Sequence, residues 1–220
     1  MRRVLYLGLD LPEQQMDHCP LIQIVPRPKS DPNIINAFTK FQAFTHLIFT
    51  SKSSVSIVVE YAPHFGIDLE QIRHKCILAV GTQTAAKLAS FGIAATITAA
   101  NETGEGIIDE LSKLDLNLKT ASVFWPHSSL SRPLISEWLT TRHIPFVSPI
   151  FYDTVPRIPT PLPDLALYDE LIFTSPSVVD AFVSIYKILP KDKILTSIGP
   201  ITQKHISSLQ DGKSGMIRIT

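Results

Sequence analysis

Leu47-Ile48-Phe49-Thr50-Ser51 and Leu171-Ile172-Phe173-Thr174-Ser175 are the same five residues, 171 − 47 = 124 positions apart. In both copies an apolar run rich in Ile and Phe breaks at Thr-Ser and continues into small polar residues and Val. The first continuation is Lys52-Ser53-Ser54-Val55 and the second Pro176-Ser177-Val178. A buried strand that feeds a helix reads this way. Ser51 or Ser53 is placed to cap the first helix and Ser175 the second. Pro176 suits the first helical position there, because its missing N–H would have had no partner.

A second pair of matching stretches lies downstream, Ala79-Val80-Gly81-Thr82-Gln83-Thr84-Ala85 and Ser197-Ile198-Gly199-Pro200-Ile201-Thr202-Gln203, offset by 199 − 81 = 118 positions. One strand-Gly-helix turn is weak evidence, because every parallel sheet contains several. Two echoes in the same order imply a repeated domain. Each Gly is read as closing a strand and letting the chain turn tightly, with a helix opening at Thr82 or Pro200.

At 220 residues and 45% hydrophobic content, the chain can bury one large or two small cores, and the repeat favours two. Net charge is zero and the pI about 7.1, so no basic field points to nucleic acid or an anionic membrane surface. The basic-then-apolar start, Arg2-Arg3-Val4 to Leu9, ends at Asp10 and is too short for an export core or a membrane span. Two cysteines, Cys19 and Cys76, provide no disulfide framework, which suits a reducing cytoplasm. His18-Cys19 and His74-Lys75-Cys76 lack a second pair at zinc-site spacing, so no metal site is expected.

Val4 to Leu9 reads as a strand with Leu21 to Val25 as its neighbour, separated by a loop or a helix of one or two turns. Pro26 to Pro32 is a first proline-rich linker. From Asn33 a helix carrying Ile34, Ile35, Phe38 and Phe41 leads into the strand His46 to Thr50. Helix 53–62, the loop with Gly66, strand 76–80, helix 82–91, a short strand near 94–98, helix 106–114 capped by Thr103, strand 122–125 and helix 133–142 then alternate. The last of these turns Leu134, Ile135, Trp138 and Leu139 inward. Phe146 to Thr154 is extended, and Pro156, Pro159, Pro161 and Pro163 mark a return linker. With linkers at about 26–32 and 149–163, residues 30–148 form an inserted α/β domain. Residues 1–27 and 153–220 form a discontinuous one, whose N-terminal strands complete a sheet that about three later strands cannot make alone.

With these motifs in place the chain resembles the uroporphyrinogen-III synthase family, which closes linear hydroxymethylbilane into the ring precursor of haem. The residues that carry the likeness are Leu47 to Ser51, Ala79-Val80-Gly81 with Thr84-Ala85, Glu102-Thr103 with Gly106, Arg132 before a helix, Phe151-Tyr152-Asp153-Thr154, Phe173 to Ser177, and Ile198-Gly199-Pro200 with Thr202. The resemblance implies two flavodoxin-like (Rossmann-like) α/β domains with parallel sheets, joined by a two-stranded linker ladder. It also implies a wide cleft between the domains and a cofactor-free, monomeric lyase. Two departures are visible: Gly8-Leu9-Asp10 stands where the family carries an Arg and a full helix, and the last strand ends at Ile219-Thr220 where the family continues into another helix.

The implied substrate carries eight carboxylates, which a neutral protein must hold locally. Helix N-termini offer backbone N–H groups and a partial positive dipole, and in open α/β sheets they lie at the ligand-binding ends of the strands. The candidate binding residues are therefore Thr50, Ser51, Lys52, Ser53, Thr82, Thr84, Thr103, Arg132, Ser175, Pro176, Ser177, Gly199 and Thr202. Lys52 and Arg132 add charge pairing, and the hydroxyls can cap, bind or do both. Tyr152 is the candidate proton donor to the departing hydroxyl, the alternative being a packed aromatic of the ladder.

The rival from another class is a non-catalytic two-lobed cytosolic small-ligand sensor. A nucleotide-binding role is disfavoured because no Gly-x-x-x-x-Gly-Lys or Gly-x-Gly-x-x-Gly string follows a strand. A Ser nucleophile at Ser51 or Ser175 is disfavoured too, since neither lies in a Gly-x-Ser-x-Gly elbow.

Overall fold

The computed structural model describes residues 2–12, 14–114 and 121–210. In chain order the strands are β1 (Val4–Tyr6), β2 (Asp17–His18), β3 (Ile22–Pro26), β4 (His46–Phe49), β5 (Cys76–Ala79) and β6 (Ile97–Thr98). They continue with β7 (Val123–Phe124), β8 (His127–Ser128), β9 (Phe146–Val147), β10 (Ile150–Pro156), β11 (Glu170–Phe173) and β12 (Ile194–Ser197). The helices are α1 (Pro32–Thr39), α2 (Lys52–Tyr61), α3 (Leu69–Arg73), α4 (Thr82–Ala89), α5 (Gly104–Lys113), α6 (Leu134–Thr141), α7 (Pro176–Tyr186) and α8 (Pro200–Gln210). Two compact units result: Met1–Ile24 with Thr154–Thr220, and Val25–Asp153.

In the second unit the sheet runs β6-β5-β4-β7-β9, and every pairing is parallel. Numbered by sequence the order is 3-2-1-4-5, so the winding reverses between β4 and β7, the switch point of a doubly wound sheet. Leu47, Ile48 and Phe49 are all fully buried, as a central parallel strand covered on both faces requires. Beside this sheet the rings of Phe38, Phe41, Phe44, Phe124 and Phe151 pack together. Phe124 lies 5.3 Å from Phe44 and 5.8 Å from Phe151, centroid to centroid.

The sheet of the first unit is β12-β11-β1-β2, again parallel throughout. Leu5, Leu7, Leu171, Phe173, Val178, Phe182 and Ile206 fill its core. If β11 and β12 are matched to β4 and β5, as the echoes dictate, β1 takes the place of β7 and β2 that of β9. The unit is thus a circular rearrangement of its partner. Among the described residues β6 has no counterpart, and neither does α6, which links β7 to β9 while no helix links β1 to β2.

A further sheet, β3-β10-β8, is built from the two proline-flanked segments and one short addition. Arg27 N donates to Phe151 O at 2.8 Å and Arg157 N to Leu21 O at 2.7 Å along its first pair. The third strand, His127–Ser128, is hidden in sequence by the flanking Pro126 and Pro133, which mimic a loop; it runs parallel to β10 and pairs Ser128 with Tyr152.

Several local expectations are corrected. The strand beside β1 is Asp17–His18, not Leu21 to Val25, which instead starts the β3-β10-β8 sheet. Backbone bonds such as Cys19 N to Tyr6 O place β2 there, although it offers no apolar alternation. Pro32 is the first residue of α1, capped by Asp31, and Phe41 falls in a 3-10 turn after it. Ser148-Pro149 breaks the extended 146–154 run into β9 and β10. The short helix α3, with an Asp68/Gln71 capping box, occupies what reads as loop. Gly199 has φ +90 and does make a tight turn. Gly81 is extended, and a Cβ there would meet Glu102 at 2.4 Å, so it serves close approach instead. The strand expected to end at Ile219-Thr220 lies outside the described residues.

Candidate functional site

Parallel strands all point one way, so within each unit the strand-to-helix turns line one edge of the sheet. In the second unit these are Thr50 to Ser53 at the start of α2, Gly81 to Thr84 at α4 and Glu102 to Thr103 before α5. In the first unit they are Ser175 to Ser177 at α7 and Gly199 to Thr202 at α8.

The cap of α2 is Ser51, not Ser53: Ser54 N donates to Ser51 Oγ at 3.0 Å. The same Oγ lies 2.8 Å from the Tyr152 hydroxyl, so β10 delivers the candidate proton donor to a helix cap 101 residues away in sequence. Tyr152 is 5% exposed. Burial pushes its phenol above the ordinary range, and the Ser51 bond opposes that rise. Thr50 Oγ1 accepts from Trp125 Nε1 at 3.3 Å, tying the start of this turn to β7.

At α4 the N-terminal turn already holds a carboxylate, that of Glu102. Thr82 N and Thr82 Oγ1 both donate to Glu102 Oε1 at 2.8 Å. These bonds hold the Glu102 carboxyl below its usual range. Thr84, by contrast, is 4% exposed within the helix. At α5, Thr103 caps through Gly106 N at 3.2 Å, as expected. Arg132 closes on Glu105, in the first turn of that helix, with Nη1 and Nη2 at 2.6 and 2.7 Å from the two oxygens. Hydrogen bonds from Arg132 are the main cause that takes the Glu105 carboxyl down to about 2. A groove of about 440 Å³, lined by Ile108, Leu134 and Trp138 among others, opens beside the pair.

In the first unit the echo is incomplete. Ser175 stands at the N-cap of α7 and Pro176 follows at its start, but the serine makes no side-chain cap bond and meets Ser177 Oγ at 2.9 Å. Thr202 is 3% exposed, on the inner side of α8. The structure thus joins Ser51 to Tyr152, Thr82 to Glu102, and Arg132 to the α5 turn. Lys52 and Ser53 stand in the first turn of α2. Sequence reasoning missed Ser54, Glu102 and Glu105 as members of these clusters. The Ser51-x-x-Ser54 spacing is a local signal for the first, and Glu102 stands in the motif that carries the family likeness.

Among the described residues no group of three His, Cys, Asp or Glu side chains is placed to hold a metal ion, and no helix is long and apolar enough to cross a membrane. Two α/β units with strand-to-helix turns along their parallel-sheet edges define a duplicated, doubly wound protein. The chain belongs to the uroporphyrinogen-III synthase family, whose model, Uroporphyrinogen-III synthase HemD, matches residues 14–213. That is an enzyme family of tetrapyrrole biosynthesis, which favours the catalytic reading over the sensor. Uroporphyrinogen-III synthetase from Helicobacter pylori has the same fold, with TM-score 0.66 and 20% identity over 97% of this chain and 90% of that one. A triple mutant of the Thermus thermophilus uroporphyrinogen III synthase superposes with TM-score 0.64 at 16% identity, covering 96% and 90%. No curated protein sequence matches the chain.

Proposed function

We propose that this chain cyclises hydroxymethylbilane with inversion of the last ring and loss of water, acting as a cytoplasmic monomer without a cofactor. What carries the residue-level reading is the Glu102 carboxylate on the α4 turn: a side-chain acid sits where a substrate acid is needed, on one N–H and one hydroxyl. Within the same unit the helix N-termini at Ser51 and Thr103 offer comparable donors for further carboxylates. Arg132, once released from Glu105, supplies a bidentate partner.

Chemistry begins at the hydroxymethyl carbon. Tyr152 gives its proton to the departing hydroxyl, the C–O electron pair leaves with that oxygen as water, and the pyrrole delocalises the cation left behind. The substituted carbon of the last ring attacks that cationic methylene to form a spiro intermediate, its older bond to the neighbouring ring's methylene breaks, and that methylene is recaptured at the last ring's free α-carbon, which inverts the ring. The proton released as the inverted pyrrole regains aromaticity restores the phenol. Pyrrole stabilisation makes a strong acid unnecessary, so the protein's main task is to hold the two chain ends in the productive geometry.

The test is incubation with freshly generated hydroxymethylbilane and separation of the two isomers formed. The parent yields isomer III. Tyr152→Phe is expected to lower turnover by roughly tenfold or more, as loss of a positioned acid does, with affinity within a few fold. Equal rates in mutant and parent would remove Tyr152 from the mechanism.

A further inference from the structure

We propose that Ser51 is a positioning residue for Tyr152 instead of a direct ligand of the substrate: its hydroxyl orients the phenol's proton and hydrogen-bonds the phenolate once that proton has left. The inference rests on the reading of Tyr152 as proton donor.

Proton counting fixes the direction. Ser54 Oγ donates its single proton to Ser51 O at 2.8 Å, so toward Ser51 it can only accept. Ser51 Oγ lies 3.1 Å from Ser54 Oγ, accepts from Ser54 N at 3.0 Å, and meets the Tyr152 hydroxyl at 2.8 Å. With the Ser51 proton directed at Ser54, the only proton left for the Ser51–Tyr152 contact is the phenol's own. The resting chain therefore runs from Tyr152 to Ser51 to Ser54 to the Ser51 carbonyl, with each hydroxyl donating once. Turning the Ser51 and Tyr152 hydroxyls together reverses its first link. The Ser51 proton then points at the phenol oxygen, and the phenol proton is free for the substrate's hydroxyl.

When the Tyr152 O–H bond breaks, its proton leaves in the water formed and the negative charge stays on a buried oxygen. Ser51 is the donor that meets it there. Burial raises the phenol, and the Ser51 bond opposes that rise. The helix cap pins Ser51 Oγ while its proton turns. A strand-to-helix turn does not demand this arrangement, because at the echoing position Ser175 turns to Ser177 and leaves its helix uncapped by side chain.

Five variants test it. Ser51→Gly removes the hydroxyl at an N-cap position, where Gly is tolerated almost as well as Ser. Ser51→Thr keeps the hydroxyl, Tyr152→Phe removes the acid, and Ser51→Gly/Tyr152→Phe combines the losses. Isomer-III formation is followed across pH. The expected results are kcat lowered roughly tenfold in Ser51→Gly with KM within twofold, recovery in Ser51→Thr, and a double mutant no slower than Tyr152→Phe. Activity requires the protonated phenol, so losing its phenolate donor moves the alkaline limb of the profile to higher pH. Ser54→Ala leaves the cap bond intact and frees the Ser51 proton for Tyr152, so it moves that limb to lower pH. A raised KM with unchanged kcat in Ser51→Gly, additive losses in the double mutant, or limbs that fail to move in opposite directions would overturn the proposal. If Tyr152→Phe is slow and Ser51→Gly matches the parent, the Ser51 inference alone falls. If Tyr152→Phe matches the parent, both fall.

Discussion

The guanidinium of Arg132 is closed on both oxygens of Glu105, at 2.6 and 2.7 Å, across 27 residues of sequence. The one arginine among the candidate binding residues is thus neutralised by the first turn of α5. The two side chains are 55% and 48% exposed, so solvent screening limits the pair to about 0.2–1 kcal/mol of stability. The sign follows from the depressed carboxyl. The contribution is complete above the unfolded-chain value of about 4.3 and is lost as pH falls through the folded value of about 2. Glu105→Gln is therefore expected to change the urea midpoint at pH 7 little and to flatten its fall between pH 5 and 2. The same change frees Arg132 and should lower KM for hydroxymethylbilane roughly threefold, an effect that salt erodes. An unaltered KM at low salt would take Arg132 out of substrate binding.

Glu102 poses the same question for backbone donors. Its carboxylate occupies the Thr82 N–H and hydroxyl, and a substrate carboxylate must displace it to use that turn. Glu102→Gln keeps the shape with a weaker acceptor, because bonds to a charged group are roughly twice as strong as neutral ones. KM should fall several fold while kcat holds. In the parent the Glu102 bond persists above the ordinary carboxyl range and fades as pH drops below it, since the folded carboxyl is held low. Titration showing equal affinity in both proteins would mean that α4 receives no substrate group.

What the sequence made legible was what repeats and what is buried. Leu47 to Phe49 announces a central parallel strand because both its faces are covered, and Thr103 announces a helix start because its hydroxyl bonds three residues ahead. Asp17–His18 announces nothing: a two-residue strand with polar side chains is specified by the backbone bonds its neighbour offers. The site was half legible for a related reason. Ser51, Thr82, Arg132 and Tyr152 could be chosen from turn chemistry and family likeness, but their partners could not. Pairing of β5 with β6 draws Glu102 to Thr82, and the course of β10 brings Tyr152 to Ser51; neither contact has a local signal.

Gly106 is where fold and site meet. It lies in the first turn of α5, where replacing Gly by Ala ordinarily stabilises a helix by about 0.5–1 kcal/mol. Here an added Cβ would stand 1.9 Å from Asn101 O and 2.9 Å from its carbonyl carbon, both backbone atoms that cannot swing aside. The helix start would have to move away from the 101–103 segment, and Thr103 and Glu105 move with it. Gly106→Ala is therefore expected to reverse the usual sign and destabilise the protein by about 1–3 kcal/mol, as overpacking does. It should also raise KM by loosening the Glu102, Thr103 and Arg132 contacts together. Gly66→Ala is the control: its φ is +70 but nothing lies within 4 Å, so it carries only the left-handed backbone penalty of about 1–2 kcal/mol and leaves KM unchanged. Denaturation curves and steady-state kinetics on the two variants separate these effects. A Gly106→Ala protein with parental stability and KM would show that the turn has room its backbone does not display.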